Sequence, residues 1–183
     1  MSGRNRVRII GGEWRSRLVR FPGTPGLRPT PDRVRETLFN WLGQRLDGLA
    51  CVDLFAGSGA LGFEALSRGA GRVVMIDRDR ETVEALRAAA RELGATGAEV
   101  LAADSIAWLG RGAEKFDLAF VDPPYASDLA VQALAKLGPR LNPGARVYVE
   151  SARPLEPGGP WSELREGKAG AVRFALYEYE SPQ

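Results

Sequence analysis

Between Cys51 and Glu150 the chain alternates short apolar runs with stretches at helical spacing, and this order leaves few folds open. The apolar runs read as strands at Cys51 to Phe55, Arg72 to Asp77, Glu99 to Ala103, Phe116 to Val121 and Ala145 to Glu150. Helical segments separate them, over Ala60 to Arg68, Arg80 to Leu93 with Gly94 closing it, Ser105 to Leu109 and Leu129 to Leu137. Strand and helix in turn predict an α/β, Rossmann-like architecture, a mostly parallel sheet with helices on both faces. Two last strands, near Trp161 to Arg165 and Ala171 to Glu180, predict an antiparallel hairpin on the sheet edge. Before the alternation, Thr30 can cap a helix over Asp32 to Leu46, with Pro31 in its first turn and Val34, Leu38, Trp41 and Leu42 facing the core.

Ligands of such sheets bind at the carboxyl ends of the strands, and chemistry-bearing residues collect there. The Phe116 strand ends in Asp122-Pro123-Pro124-Tyr125. Proline has no N–H and a fixed φ, so the turn is stiff and the Pro123 carbonyl is left as an acceptor beside the Asp122 carboxylate. Two fixed acceptors suit the two N–H donors of an exocyclic nucleobase amine, and Tyr125 offers a face for stacking the base. A loop that merely ends a strand is the plainer alternative. The Cys51 strand runs into Asp53-Leu54-Phe55-Ala56-Gly57-Ser58-Gly59, whose glycines let a ligand approach the main chain. With Gly62 the spacing is also that of a dinucleotide fingerprint. Asp53 argues against a pyrophosphate and for a cationic amine or sulfonium. Asp77 ends the next strand at a spacing suited to ribose hydroxyls, or caps the helix that follows. Asp104 and Ser105 end the third strand, where they can meet an adenine edge or cap a helix.

Charge is unevenly placed. Residues 1–35 carry nine arginines (4, 6, 8, 15, 17, 20, 28, 33 and 35) against Glu13 and Asp32, a net of +7, while the rest of the chain nets −5. A basic terminal segment on an acidic domain predicts a polyanion partner. Arg6 to Ile10 and Trp14 to Phe21 read as two strands joined at Gly11-Gly12, with arginines on one face and Trp14 placed to stack on an exposed base. The alternative is a solvated hairpin whose apolar face packs on the domain. The domain expectation is a basic RNA-binding extension over residues 1–29 and a catalytic domain over 30–183. No histidine and a lone cysteine, Cys51, leave no zinc site, no disulfide and no histidine base. No apolar run has membrane-spanning length and MSGRNRVRII lacks a signal-peptide core, so a cytoplasmic protein that meets no membrane is expected. Nothing in the sequence calls for an obligate dimer, and a monomer is expected.

DLFAGSGALG, Asp77 and DPPY, in this order, resemble the class I S-adenosylmethionine-dependent methyltransferases that act on amino groups. IIGGEWRSR and the stretch Leu27-Arg28-Pro29-Thr30-Pro31-Asp32-Arg33-Val34-Arg35-Glu36 resemble, more specifically, the RsmD-type 16S ribosomal RNA guanine-N2 methyltransferases. The resemblance implies that Asp53, Gly57 and Gly59 hold the methionine part of S-adenosylmethionine, Asp77 its ribose and Asp104 its adenine, with Phe55, Ser58, Arg78 and Ser105 beside them. It implies that Asp122, Pro123 and Tyr125 hold the target base. A ribosomal RNA substrate within the small subunit, met through Arg6, Arg8, Trp14, Arg15, Arg17, Arg28, Arg33 and Arg35, completes the expectation, with no metal. Other amino-methyltransferases, of DNA or of protein glutamine, share the tetrad chemistry. An idle RNA-binding module and a dehydrogenase each explain only part of the pattern.

Overall fold

The computed structural model describes residues 5–124 and 127–182. Seven strands form one sheet: β3 (Ala50–Asp53), β4 (Arg72–Asp77), β5 (Ala98–Ala102), β6 (Phe116–Val121), β7 (Leu141–Ser151), β8 (Trp161–Ala169) and β9 (Val172–Tyr179), in the order β5-β4-β3-β6-β7-β9-β8. The first five are mutually parallel, and β9 and β8 add antiparallel to β7. The parallel strands are connected through helices α2 (Ala60–Ser67), α3 (Arg80–Leu93), α4 (Ser105–Leu109) and α5 (Leu129–Leu137). Both the parallel sheet and the closing hairpin were legible in the alternation.

Successive strand residues point to opposite faces, and this period of two divides the core. Cys51, Val73, Met75, Leu118, Phe120 and Tyr148 pack with α2, α3 and α1 (Asp32–Trp41). Val52, Val74, Ile76, Ala119, Val121 and Val147 pack with α4 and α5 on the other side. Strands covered on both faces explain why the central runs are continuously apolar.

A small hairpin precedes the sheet, with β1 (Arg6–Arg8) antiparallel to β2 (Leu18–Arg20). Its apolar side, Val7, Ile9, Trp14 and Val19, joins the core cluster of α1 and α2. Because the hairpin covers it, every residue of α2 is buried. The strands are shorter than the sequence suggests, since the Ile10 and Gly11 N–H groups turn away from the ladder to the Glu64 carboxylate.

Helix α1 stops at Trp41, short of the expected Leu46, because Gly43 and Gln44 take φ of 89° and 69° and turn the chain out of the helix. Thr30 makes no cap either: Pro31 occupies the N-cap position, and the Thr30 hydroxyl points elsewhere.

Candidate active site at the strand ends

Parallel strands bring their carboxyl ends to one edge, so residues far apart in sequence become neighbours there. Across β5, β4, β3, β6 and β7 that edge presents Asp104, Asp77, Asp53, Asp122 and Glu150 in turn. Five acids along one edge repel one another unless partners or a cation intervene.

Asp77 is committed to the glycine loop. Its Oδ2 accepts the Gly57 N–H at 3.0 Å and its Oδ1 the Asp79 N–H at 2.9 Å. Gly57 and Gly59 have φ of 53° and 80°, a conformation that side chains disfavour. A Cβ on Gly59 would lie 2.5 Å from the Phe63 ring, so the turn into α2 closes only over glycine.

Asp53 lies beneath this loop with 1% of its surface exposed, and neither carboxylate oxygen has a hydrogen-bond partner among the described residues. Burial, assisted by the Asp77 charge, pushes its pKa up to about 7. The Gly62 and Phe55 N–H groups oppose the rise without reaching hydrogen-bond geometry. Gly62 makes the packing possible: a Cβ there would lie 2.6 Å from Met75 Sδ and 3.4 Å from Asp53 Oδ2. Isolated buried carboxylates are costly, and a cation is the kind of partner that would offset this one.

Asp122, half-buried at the end of β6, accepts the Thr30 hydroxyl at 3.2 Å. Burial, then the neighbouring Glu150 charge, holds it well above the usual carboxylate range, and Asp53 adds to the rise. Glu150 in turn accepts the Tyr148 hydroxyl at 2.6 Å. Pro123 follows half-buried, and Tyr125, expected to stack on the base, lies outside the described residues. Over the glycine loop, Leu27 would touch a Cβ placed on Gly57 at 2.8 Å, so the 27–30 segment roofs the same edge. A broad recess of about 790 Å³, between the hairpin and the amino ends of β3 and β4, touches none of these acids.

The family model for "Conserved hypothetical protein 95" matches residues 7–178. The Ribosomal RNA small subunit methyltransferase D of Escherichia coli is 42% identical over 98% of this chain and 93% of its own. The chain belongs to this family. A solved Escherichia coli structure with 41% identity superimposes with a TM-score of 0.88, covering 97% of this chain and 99% of the other. The Thermus thermophilus 16S rRNA N2-guanine methyltransferase, solved with AdoMet and guanosine, shares the fold at a TM-score of 0.74 and 24% identity, over 96% of this chain and 50% of that one. The sheet of this family member is thus of the class I methyltransferase type.

Three expected contacts are corrected by burial. Trp14, expected to stack on RNA, is 8% exposed in the core, because the hairpin needs an apolar anchor on α2. Arg35, expected on the nucleic-acid face, is fully buried: its guanidinium pairs with Asp32 at 2.6 Å and Glu64 at 3.2 Å and donates to the Arg8 carbonyl. The Ser105 hydroxyl, expected near adenine, is buried and donates to the Leu54 carbonyl. Asp104 does cap α4, accepting the Ala107 N–H at 2.9 Å, and remains exposed at the edge. Arg6, Arg8, Arg15, Arg17, Arg28 and Arg33 are exposed, as are Arg20 and Arg78. Sequence reasoning missed Glu150, Tyr148 and Thr30. For Glu150 the signal was available, since it closes a strand as Asp122 does. For Thr30 it was masked by a plausible capping role.

Proposed function

We propose that this protein methylates the exocyclic N2 amine of a guanine in 16S ribosomal RNA, within the assembled small subunit, using S-adenosylmethionine. It is an rRNA methyltransferase. The relatives' printed name, ribosomal RNA small subunit methyltransferase D, supports the substrate class, and the unpartnered Asp53 carboxylate carries the cofactor reading. A buried anion under a glycine loop fits the cationic methionine end of that cofactor. Asp53 with Gly57 and Gly59 holds that end, Phe55 and Ser58 shape the loop around it, Asp77 and Arg78 face its ribose, and Asp104 faces its adenine. Once bound, the cofactor supplies an electrophilic methyl carbon on a sulfonium.

The remaining work falls to the chain's own groups. Guanine N2 is a poor nucleophile because its lone pair is delocalised into the ring. Asp122 and the Pro123 carbonyl accept its two N–H groups, which favours a pyramidal nitrogen and stabilises the charge that grows there. Tyr125 stacks on the flipped base. Holding nitrogen and methyl carbon in line removes most of the entropic barrier. Residues 1–29, with Arg6, Arg8, Arg15, Arg17 and Arg28, and Arg33 beyond them, bind phosphates as an extension of the catalytic domain over 30–183. The protein acts as a cytoplasmic monomer and requires no metal. No helix among the described residues is long and apolar enough to cross a membrane.

The deciding experiment incubates the protein with methyl-labelled S-adenosylmethionine and small subunits lacking the modification, then maps the label by mass spectrometry, with Asp122→Ala as the control. Label is expected on one guanine N2 and is lost in the variant. Label on adenine N6, cytosine N4 or protein, or transfer to naked RNA in preference to subunits, would refute the corresponding part.

A further inference from the structure

The Thr30 hydroxyl has one hydrogen, yet its oxygen lies 3.2 Å from Asp122 Oδ2 and 3.1 Å from Glu150 Oε1. Between two ionised carboxylates a hydroxyl can donate to only one, leaving its lone pairs facing the other. Both contacts hold at once when one carboxyl is protonated and donates to the Thr30 oxygen, while Thr30 donates onward. The Tyr148 hydroxyl, donating to the same Glu150 oxygen at 2.6 Å, anchors the far end of this chain.

Among the described residues, charged and titratable groups approach Asp122 from β7, β3 and α1. Glu150 and Tyr148 come from β7 and Asp53 from β3, and all of them raise its proton affinity or share its burial. Arg35 approaches from α1, with its Nε on the Thr30 carbonyl at 3.0 Å, but its charge is matched by Asp32 and Glu64. Thr30 is the donor that opposes the rise on Asp122.

We propose that Glu150 is a positioning residue that acts through Asp122: the two carboxyls hold one proton between them across the Thr30 hydroxyl, and this makes Asp122 the acceptor of the proton that the methylated amine must lose. The inference rests on the methyl-transfer reading of the same site. When the amine arrives, the held proton passes through Thr30 to Glu150, and Asp122 meets the two N–H donors as an anion. The amine nitrogen then forms its bond to the methyl carbon with its own lone pair, as the carbon–sulfur bond breaks toward sulfur. The nitrogen's surplus proton moves to Asp122. The pair now carries two protons, one of which leaves to water with the product. Burial and the Glu150 charge beside it raise the proton affinity of Asp122, which keeps the proton in the site until the amine arrives.

Two measurements test this, one of them free of turnover. Infrared difference spectra of the cofactor-free wild type against Glu150→Gln near neutral pH should show a protonated-carboxyl band that the variant lacks; the Asp53 contribution cancels. In the methyl-transfer assay, the wild type keeps kcat while Glu150 can take the proton that Asp122 holds, and loses it only as pH falls further. Glu150→Gln leaves no carboxylate to take that proton, so its acid limb should move up by about one pH unit or more. Removing the donor in Thr30→Val should move it up, and Thr30→Ser should restore it. A purely structural role for either residue would leave the limb in place. An active enzyme with no such band, or a limb unmoved in Glu150→Gln, overturns the shared proton alone. A wild type that shows the band and methylates nothing overturns the methyl-transfer reading, and the proton's role with it.

Discussion

Asp53 shows how far one residue can be tied to function by physical chemistry alone. A carboxyl whose pKa is raised from 3.8 to about 7 favours its neutral form in the folded protein. The ligand-free protein therefore loses stability as pH rises from about 4 to about 7 and levels off beyond, by roughly 4 kcal/mol in all. A bound cation reverses the preference by favouring the ionised form. Affinity for S-adenosylmethionine should accordingly weaken roughly tenfold for each pH unit below about 7. Calorimetric titrations at several pH values check this, and Asp53→Asn should bind weakly with a flat profile. A wild-type affinity independent of pH between 5.5 and 7, values spanning roughly the half-titration range, would rule out Asp53 as the group that meets the cation.

At the scale of elements, α2 has the central position, because it joins the glycine loop to the basic hairpin. Its Glu64 is fully buried and accepts four donors: the Ile10 and Gly11 N–H groups at 2.9 and 2.8 Å, Arg35 at 3.2 Å and Arg68 at 2.9 Å. Arg68 also sits over the Phe39 ring at 4.7 Å. A buried pair replaced as a whole by apolar residues often loses little, whereas removal of one partner strands the other charge. Glu64→Ala should therefore cost about 3–5 kcal/mol, as it removes the buried carboxylate that two guanidinium groups share and leaves two N–H groups unanswered. Denaturant melts give the magnitude. Hydrogen exchange should locate the damage, with protection lost first in residues 6–20 and at the start of α2. Uniform loss across the sheet would instead mean that hairpin and sheet unfold as one unit.

Over the whole molecule, the hairpin's charge bears on the proposed RNA substrate. Its pairing register sets Arg6 opposite Arg20, and like charges facing each other across a ladder are unfavourable. The arrangement is tolerable on a face that meets phosphates, and the apolar face beneath it is anchored by Val7, Val19 and Trp14. Each phosphate contact releases condensed counterions, so RNA affinity falls with salt in proportion to their number. Arg6→Ala combined with Arg8→Ala should reduce the slope of log affinity against log salt by roughly one to two. It should weaken binding to all RNA sequences alike and leave calorimetric cofactor binding unchanged. Unaltered salt dependence would move the interface elsewhere.

Most of the sheet and half of the candidate site were legible in the sequence. Strands covered on both faces write themselves as continuous apolar runs, helices as 3.6-residue patterns, and strand-end acids as single letters at the ends of those runs. Asp53, Asp77, Asp104 and Asp122 were found that way, as local features of their own segments. Trp14 and Arg35 were misread because an aromatic or a guanidinium carries the same letter whether it faces solvent or a buried Glu64. Thr30 and Glu150 meet Asp122 across 92 and 28 positions of chain, and Tyr148 joins them through Glu150. Only the packing of α1 and β7 against β6 creates that contact, and no local pattern encodes a distance between segments. Periodicity determined the layers, and tertiary packing decided which polar groups were left to face a ligand.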